Sequence, residues 1–178
     1  MLASLGVIAR LGIAILAGNR LTAPWSGVGD VQQYVALASN VLAGDGFSYA
    51  HAPTAFRPPL YPLLLAALMW LSPDHWPAML RAVQFVVSLA TAWISFRLAA
   101  RWFGPAGGRI ALVAALLLPT QLYFTGKILT ECTASLLGIL FLAYLDDALQ
   151  FDKPRSWMLL GSIAGAAALE PLTPLHSP

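Results

Sequence analysis

Residues 60–71 read LYPLLLAALMWL, twelve residues without a charge, and their position relative to a bilayer decides the topology of everything around them. A helix needs about 20 residues to cross a hydrocarbon core about 30 Å thick. The run is too short to span, so it is expected to lie along the interface with Tyr61 and Trp70 marking its ends. Downstream, Arg97, Arg101 and Arg109 cluster around the turn GPAGG (104–108), and Lys153 and Arg155 sit at the next alternate turn. Cationic turns face the cytoplasm. If 60–71 stays on one side of the membrane, both clusters fall there; if it crossed, both would lie outside. The stretch from 19 to about 76 is thereby expected on the external face.

The composition requires lipid around the chain. Of 178 residues, 58% are hydrophobic and 10% charged, with a mean hydropathy of +0.71. Soluble domains average about 45–50% apolar and about 25% charged residues. The expected fold is an all-α membrane protein of about five transmembrane helices, the last incomplete, at 2–18, 78–103, 108–124, 130–149 and 156–169. An external loop at 19–77 carries interfacial helices, residues 1–169 form one unit, and 170–178 are an atypical tail. Arg10 would cost about 2.5–3.5 kcal/mol facing lipid at the bilayer centre, so it should snorkel or face a polar interior. It also argues against a cleaved signal peptide, whose apolar core is not split by arginine. The formal charge of +2 comes with scattered basic residues, so no nucleic-acid partner is expected. Cys132 is the single cysteine, which excludes an intrachain disulfide and a thiolate zinc cluster.

Within the loop, Asp30 stands where an N-cap belongs and Gly44 where a helix ends. Residues 31–43 are therefore expected to be helical, with Val31, Tyr34, Val35, Leu37, Ala38, Val41 and Leu42 buried. Three polar residues could carry chemistry near one membrane face: Asp30, Arg57 and Glu131. Each has a plainer reading: Asp30 as a helix cap, Arg57 as a snorkelling anchor, and Glu131 as the partner of Lys127 four residues earlier. Asp146 and Asp147 read as a solvated helix end. His51, His75 and His176 are isolated, no zinc-ligand spacing is present, and there is no Walker loop, GxGxxG or GxSxG signature.

Residues 29–68, GDVQQYVALASNVLAGDGFSYAHAPTAFRPPLYPLLLAAL, resemble the first external loop of GT-C glycosyltransferases related to protein O-mannosyltransferases and lipid A aminoarabinose transferases, a glycosyltransferase family 39-like group. An acid after the first helix, a tyrosine-bearing LAxNxLAGxGFS helix and a basic-Pro-Pro-Leu-Tyr element occur in the family's order. FRLAARWFG (96–104) and LLLPTQLYFTGKILTE (116–131) resemble its next helices, so the similarity covers most of 1–169. The resemblance implies transfer of a sugar from a polyprenyl phosphate, usually with inversion, to an acceptor at the external face of a bacterial plasma membrane. It implies Asp30 as base or metal ligand and Glu131 as the second external acid. Arg57, Tyr34, Tyr61 and Lys127 would attend the donor phosphate or the interface. Asp30 and Glu131 could hold a divalent metal, and none is assigned. The chain departs from the family where GSIAGAAAL (161–169) runs into EPLTPLHSP (170–178), whose three prolines cannot continue a span, and this is expected to mark a truncated chain. The competing expectations are a catalytically inactive membrane remnant or a lipid- or partner-binding subunit, and a transporter segment using Arg10 and Glu131 as charge partners.

Overall fold

The computed structural model describes residues 6–8, 12, 29–49, 52–54, 57–118 and 130–168, and these are mostly helical. In chain order they give α1 (Gly29–Ala43), β1 (Ser48–Tyr49), β2 (Ala52–Pro53), α2 (Leu60–Leu71), α3 (Trp76–Leu117), α4 (Glu131–Phe151) and α5 (Pro154–Ala168). Most of the expected span at 2–18 with Arg10, the far end of the one at 108–124, Lys127, His51, His176 and the tail lie outside the described residues.

Helix α1 buries Val31, Tyr34, Leu37 and Ala38, three or four residues apart on one face, with Val35 and Val41 packed beside them. Leu42 is 44% exposed, contrary to the expectation: it shares the azimuth of Val31 but lies in the final turn, beyond the buried residues along the helix. Asp30 is the second residue of the helix rather than the residue capping it. The helix ends as its glycine requires: Gly44 sits at φ +88, its N–H donates to the Val41 carbonyl, and the Asp45 N–H donates to that of Asn40. This pair of bonds is a Schellman closure. Asn40 also ties the following loop down, donating from Nδ2 to the Ser48 carbonyl at 2.8 Å. The short hairpin β1–β2, pairing Ser48 with Pro53 and Tyr49 with Ala52, hangs from that contact.

Helix α2 coincides with the expected run and has two apolar faces. Tyr61, Leu65 and Leu68 turn inward onto α1 and the start of α3, forming a hydrophobic core with Val31, Tyr34, Ala38 and Leu80. Leu63, Ala67, Trp70 and Leu71 form an exposed stripe at the same helical spacing. Tyr61 is 1% exposed, which corrects its reading as an interfacial anchor; Trp70, at the other end, is open.

A straight helix of 42 residues would be roughly 63 Å long, about twice the hydrocarbon thickness. Helix α3 instead folds back at Gly104, whose φ of 74 and ψ of −179 are accessible only to glycine, with Pro105 starting the return. A Cβ on Gly108 would stand 2.7 Å from the Ala100 Cβ and 3.0 Å from the Phe96 carbonyl oxygen, a proximity only an antiparallel return can give. The legs 76–103 and 105–117 are thus separate, as GPAGG implied. At the far end of the second leg, Gly6 packs so closely on Leu116 that a Cβ there would meet the leucine Cβ at 2.7 Å. Since the second leg returns, α4 runs parallel to the first, and α5 folds back on α4 through Asp152 in the left-handed conformation.

Two described helices, α3 and α4, are long and apolar enough to cross a membrane; the five expected spans are not all seen among the described residues. Only 22% and 11% of their most apolar windows are buried, the reverse of core helices in a soluble protein.

Candidate functional site

The loop and helix starts assemble a polar site at the junction of α1, α2 and α3. The double proline 58–59 stiffens the approach to α2, and Pro62 is tolerated because first-turn N–H groups have no helical acceptor. Immediately before the prolines, Arg57 is 8% exposed. Its Nε donates to Gln33 Oε1 at 2.8 Å, and its guanidinium carbon lies 5.3 Å from the centre of the Tyr34 ring. The expected alternative, a side chain snorkelling to headgroups, does not hold: burying a cation is costly unless it is bonded, and this one is docked against α1. Tyr34 in turn meets Tyr61 edge-on, with ring centres 5.2 Å apart and planes at 75°. Gln84 of α3, 2% exposed, donates from Nε2 to the Tyr61 hydroxyl at 3.4 Å. Gln33, Arg57, Tyr34, Tyr61 and Gln84 therefore form one chain of contacts across three helices.

Of the residues singled out in the sequence, Arg57, Tyr34 and Tyr61 come together. Asp30 lies one helical turn before Tyr34 on α1, and its side chain lies outside the described residues. Glu131 opens α4, where a carboxylate is favoured by the helix dipole, and its Oε2 is sealed from solvent. Its height follows from the Arg101–Asp146 contact: counting fifteen residues back from both (146 to 131, 101 to 86) sets Glu131 roughly level with Val86, two residues past Gln84. Glu131 and the Tyr61–Gln84 contact thus lie at similar depth. Among the described residues no three or more His, Cys, Asp or Glu side chains gather as a metal site.

Gln33 and Gln84 were missed by sequence reasoning. Gln84 carried a signal, a lone amide in the apolar run VQFVV of a spanning helix, where a polar side chain needs a reason to be. Asp146 and Asp147 do lie at an exposed helix end, but the sequence did not disclose their partners: they hold Arg101 Nη1 at 2.6 Å each, and Trp102 Nε1 donates to Asp146 at 2.9 Å. These bonds fasten α3 to α4.

Two helices long and apolar enough to cross a bilayer, a short helix with an exposed apolar stripe, and a docked guanidinium beside it are features suited to a membrane protein with a polar site at one end of its bundle. Residues 56–171, well over half of the chain, match the dolichyl-phosphate-mannose-protein mannosyltransferase family, and the chain belongs to that family of membrane glycosyltransferases. Arg57, Tyr61, Lys127 and Glu131 fall inside the matched region, whereas Asp30 and Tyr34 precede it. No curated protein and no solved structure matches the chain.

Proposed function

We propose that this chain transfers a sugar from a polyprenyl-phosphate carrier to an acceptor at the external membrane face, with Arg57 binding the donor phosphate. The observation that carries the reading is the docking of Arg57, which fixes a planar fork of donors at the end of a helix of interfacial character. Such a fork matches phosphate oxygens in two dimensions, and holding it beforehand removes the ordering cost at the moment of reaction. The exposed stripe Leu63, Ala67, Trp70 and Leu71 supports a headgroup-level position for α2, where a polyprenyl phosphate would present its polar end.

In this reading a carboxylate, Asp30 first and Glu131 second, removes the proton of an acceptor hydroxyl as its oxygen attacks the anomeric carbon. The bond from that carbon to the phosphate oxygen breaks on the opposite face. The polyprenyl phosphate leaves with its new negative charge on Arg57, and the configuration inverts. Tyr34 and Tyr61 hold the guanidinium in place, and Lys127 adds a second cation near the phosphate.

The test is transfer of radiolabelled sugar from a synthetic polyprenyl-phosphate donor in membranes containing the chain. Asp30→Asn should abolish transfer while expression and membrane insertion stay normal. Transfer at the parent rate in Asp30→Asn would remove the base assignment, and transfer at the parent rate in Arg57→Gln would remove the phosphate assignment.

A further inference from the structure

A cavity with polar walls lies at the other end of the bundle. Its volume is about 370 Å³, and its walls include Trp93, Arg97 and Arg101 from the first leg of α3 and Leu140, Tyr144 and Asp147 from α4. Gln84 precedes Arg97 and Arg101 by thirteen and seventeen residues, which sets the cavity roughly 20–25 Å along the helix from the Tyr61 contact. That approaches the thickness of a hydrocarbon core, so the two sites face opposite membrane surfaces.

The charges of this cavity form a pattern. Arg101 is held by Asp146 and Asp147, and Arg97 sits one helical turn earlier on the same side. Two guanidinium groups and Asp147 line the cavity; Asp146 holds Arg101 from beside it, so the local charges sum to zero and no net field favours an anion, whereas a ligand with both signs is matched. Trp93, 56% exposed, and Leu140 add an apolar wall leading toward the span.

We propose that this cleft binds the headgroup of an aminophospholipid, a molecule carrying a phosphodiester and a primary ammonium on a lipid body. The phosphate lies against Arg97 and Arg101. The ammonium donates to Asp147 and to the Tyr144 hydroxyl, and the first carbons of the acyl chains run along Trp93 and Leu140. A choline headgroup has no N–H to donate to Asp147, and a phosphoglycerol headgroup has no cation, so the cleft separates these three lipid classes by chemistry rather than by size.

Native mass spectrometry of the whole chain, released from detergent with phosphatidylethanolamine, phosphatidylcholine or phosphatidylglycerol of identical acyl chains, tests this directly. Phosphatidylethanolamine should bind about tenfold more tightly than either of the others. Arg97→Gln leaves both Arg101 ion pairs in place and should weaken phosphatidylethanolamine by about tenfold, while Asp147→Asn should reverse the preference in favour of phosphatidylglycerol. Soluble glycerophosphoethanolamine should compete only weakly; competition equal to the lipid would overturn the lipid assignment. Equal binding of the three lipids by the parent chain, or retention unchanged in both variants, would overturn the site.

Discussion

Arg57 is where sequence and structure say different things about one side chain. A basic residue before Pro-Pro at the start of an apolar helix is, on local grounds, equally an anchor reaching for headgroups and a phosphate ligand. Burial and the bond to Gln33 speak against the anchor, and Gln33 is 24 residues away, beyond anything local sequence could disclose. The same geometry yields a prediction about residue type. Arg57→Lys keeps the charge but loses the planar fork and the face-on contact with Tyr34, so sugar transfer should fall by about 10–100-fold with expression unchanged. Gln33→Ala leaves the guanidinium charge and frees its Nε edge, and should cost less than Arg57→Lys in the same assay. An Arg57→Lys variant as active as the parent would show that only a point charge is needed there.

At the scale of elements, the short apolar helix was legible in full, because its ends are written in prolines on one side and Ser-Pro on the other. The fold-back of α3 was legible from GPAGG, since Gly104 adopts a backbone conformation closed to other residues. Gly104→Ala should therefore lower stability by about 1–3 kcal/mol, seen as a lower thermal midpoint of the chain in detergent. Gly108→Val should be comparably harmful for a different reason, since its side chain would be driven into Ala100 and Phe96. If both variants melt with the parent, the two legs are not packed as described. What stayed illegible was tertiary pairing. Asp146 and Asp147 look like any polar helix end until a helix 45 residues earlier supplies Arg101, and Tyr61 looks like any interfacial tyrosine until Tyr34 and Gln84 close over it. The loop pattern that carried the resemblance is itself largely a folding pattern: Asn40, Gly44 and Ser48 serve the helix end and the hairpin.

For the whole molecule, the proposed chemistry requires that the α1–α2 loop and the α4–α5 turn lie on opposite sides of the membrane. The reason is arithmetic: with α2 along the surface, the first leg of α3, the return leg and α4 make three passes between loop and turn, whereas a crossing α2 makes four and returns the turn to the loop's own side. Single cysteines can distinguish the two. Ser48 is a poor reporter because it is buried beneath Asn40, but Asp45 is exposed at the end of α1, and Arg155 is exposed at the start of α5. The native Cys132 is 1% exposed and should contribute little background. In intact cells a membrane-impermeant maleimide should modify Asp45→Cys and leave Arg155→Cys untouched until the membrane is opened. Labelling of both from outside would mean that Leu60–Leu71 crosses the bilayer, carrying Glu131 to the face opposite Asp30 and Arg57 and leaving no single phosphate that all three could serve.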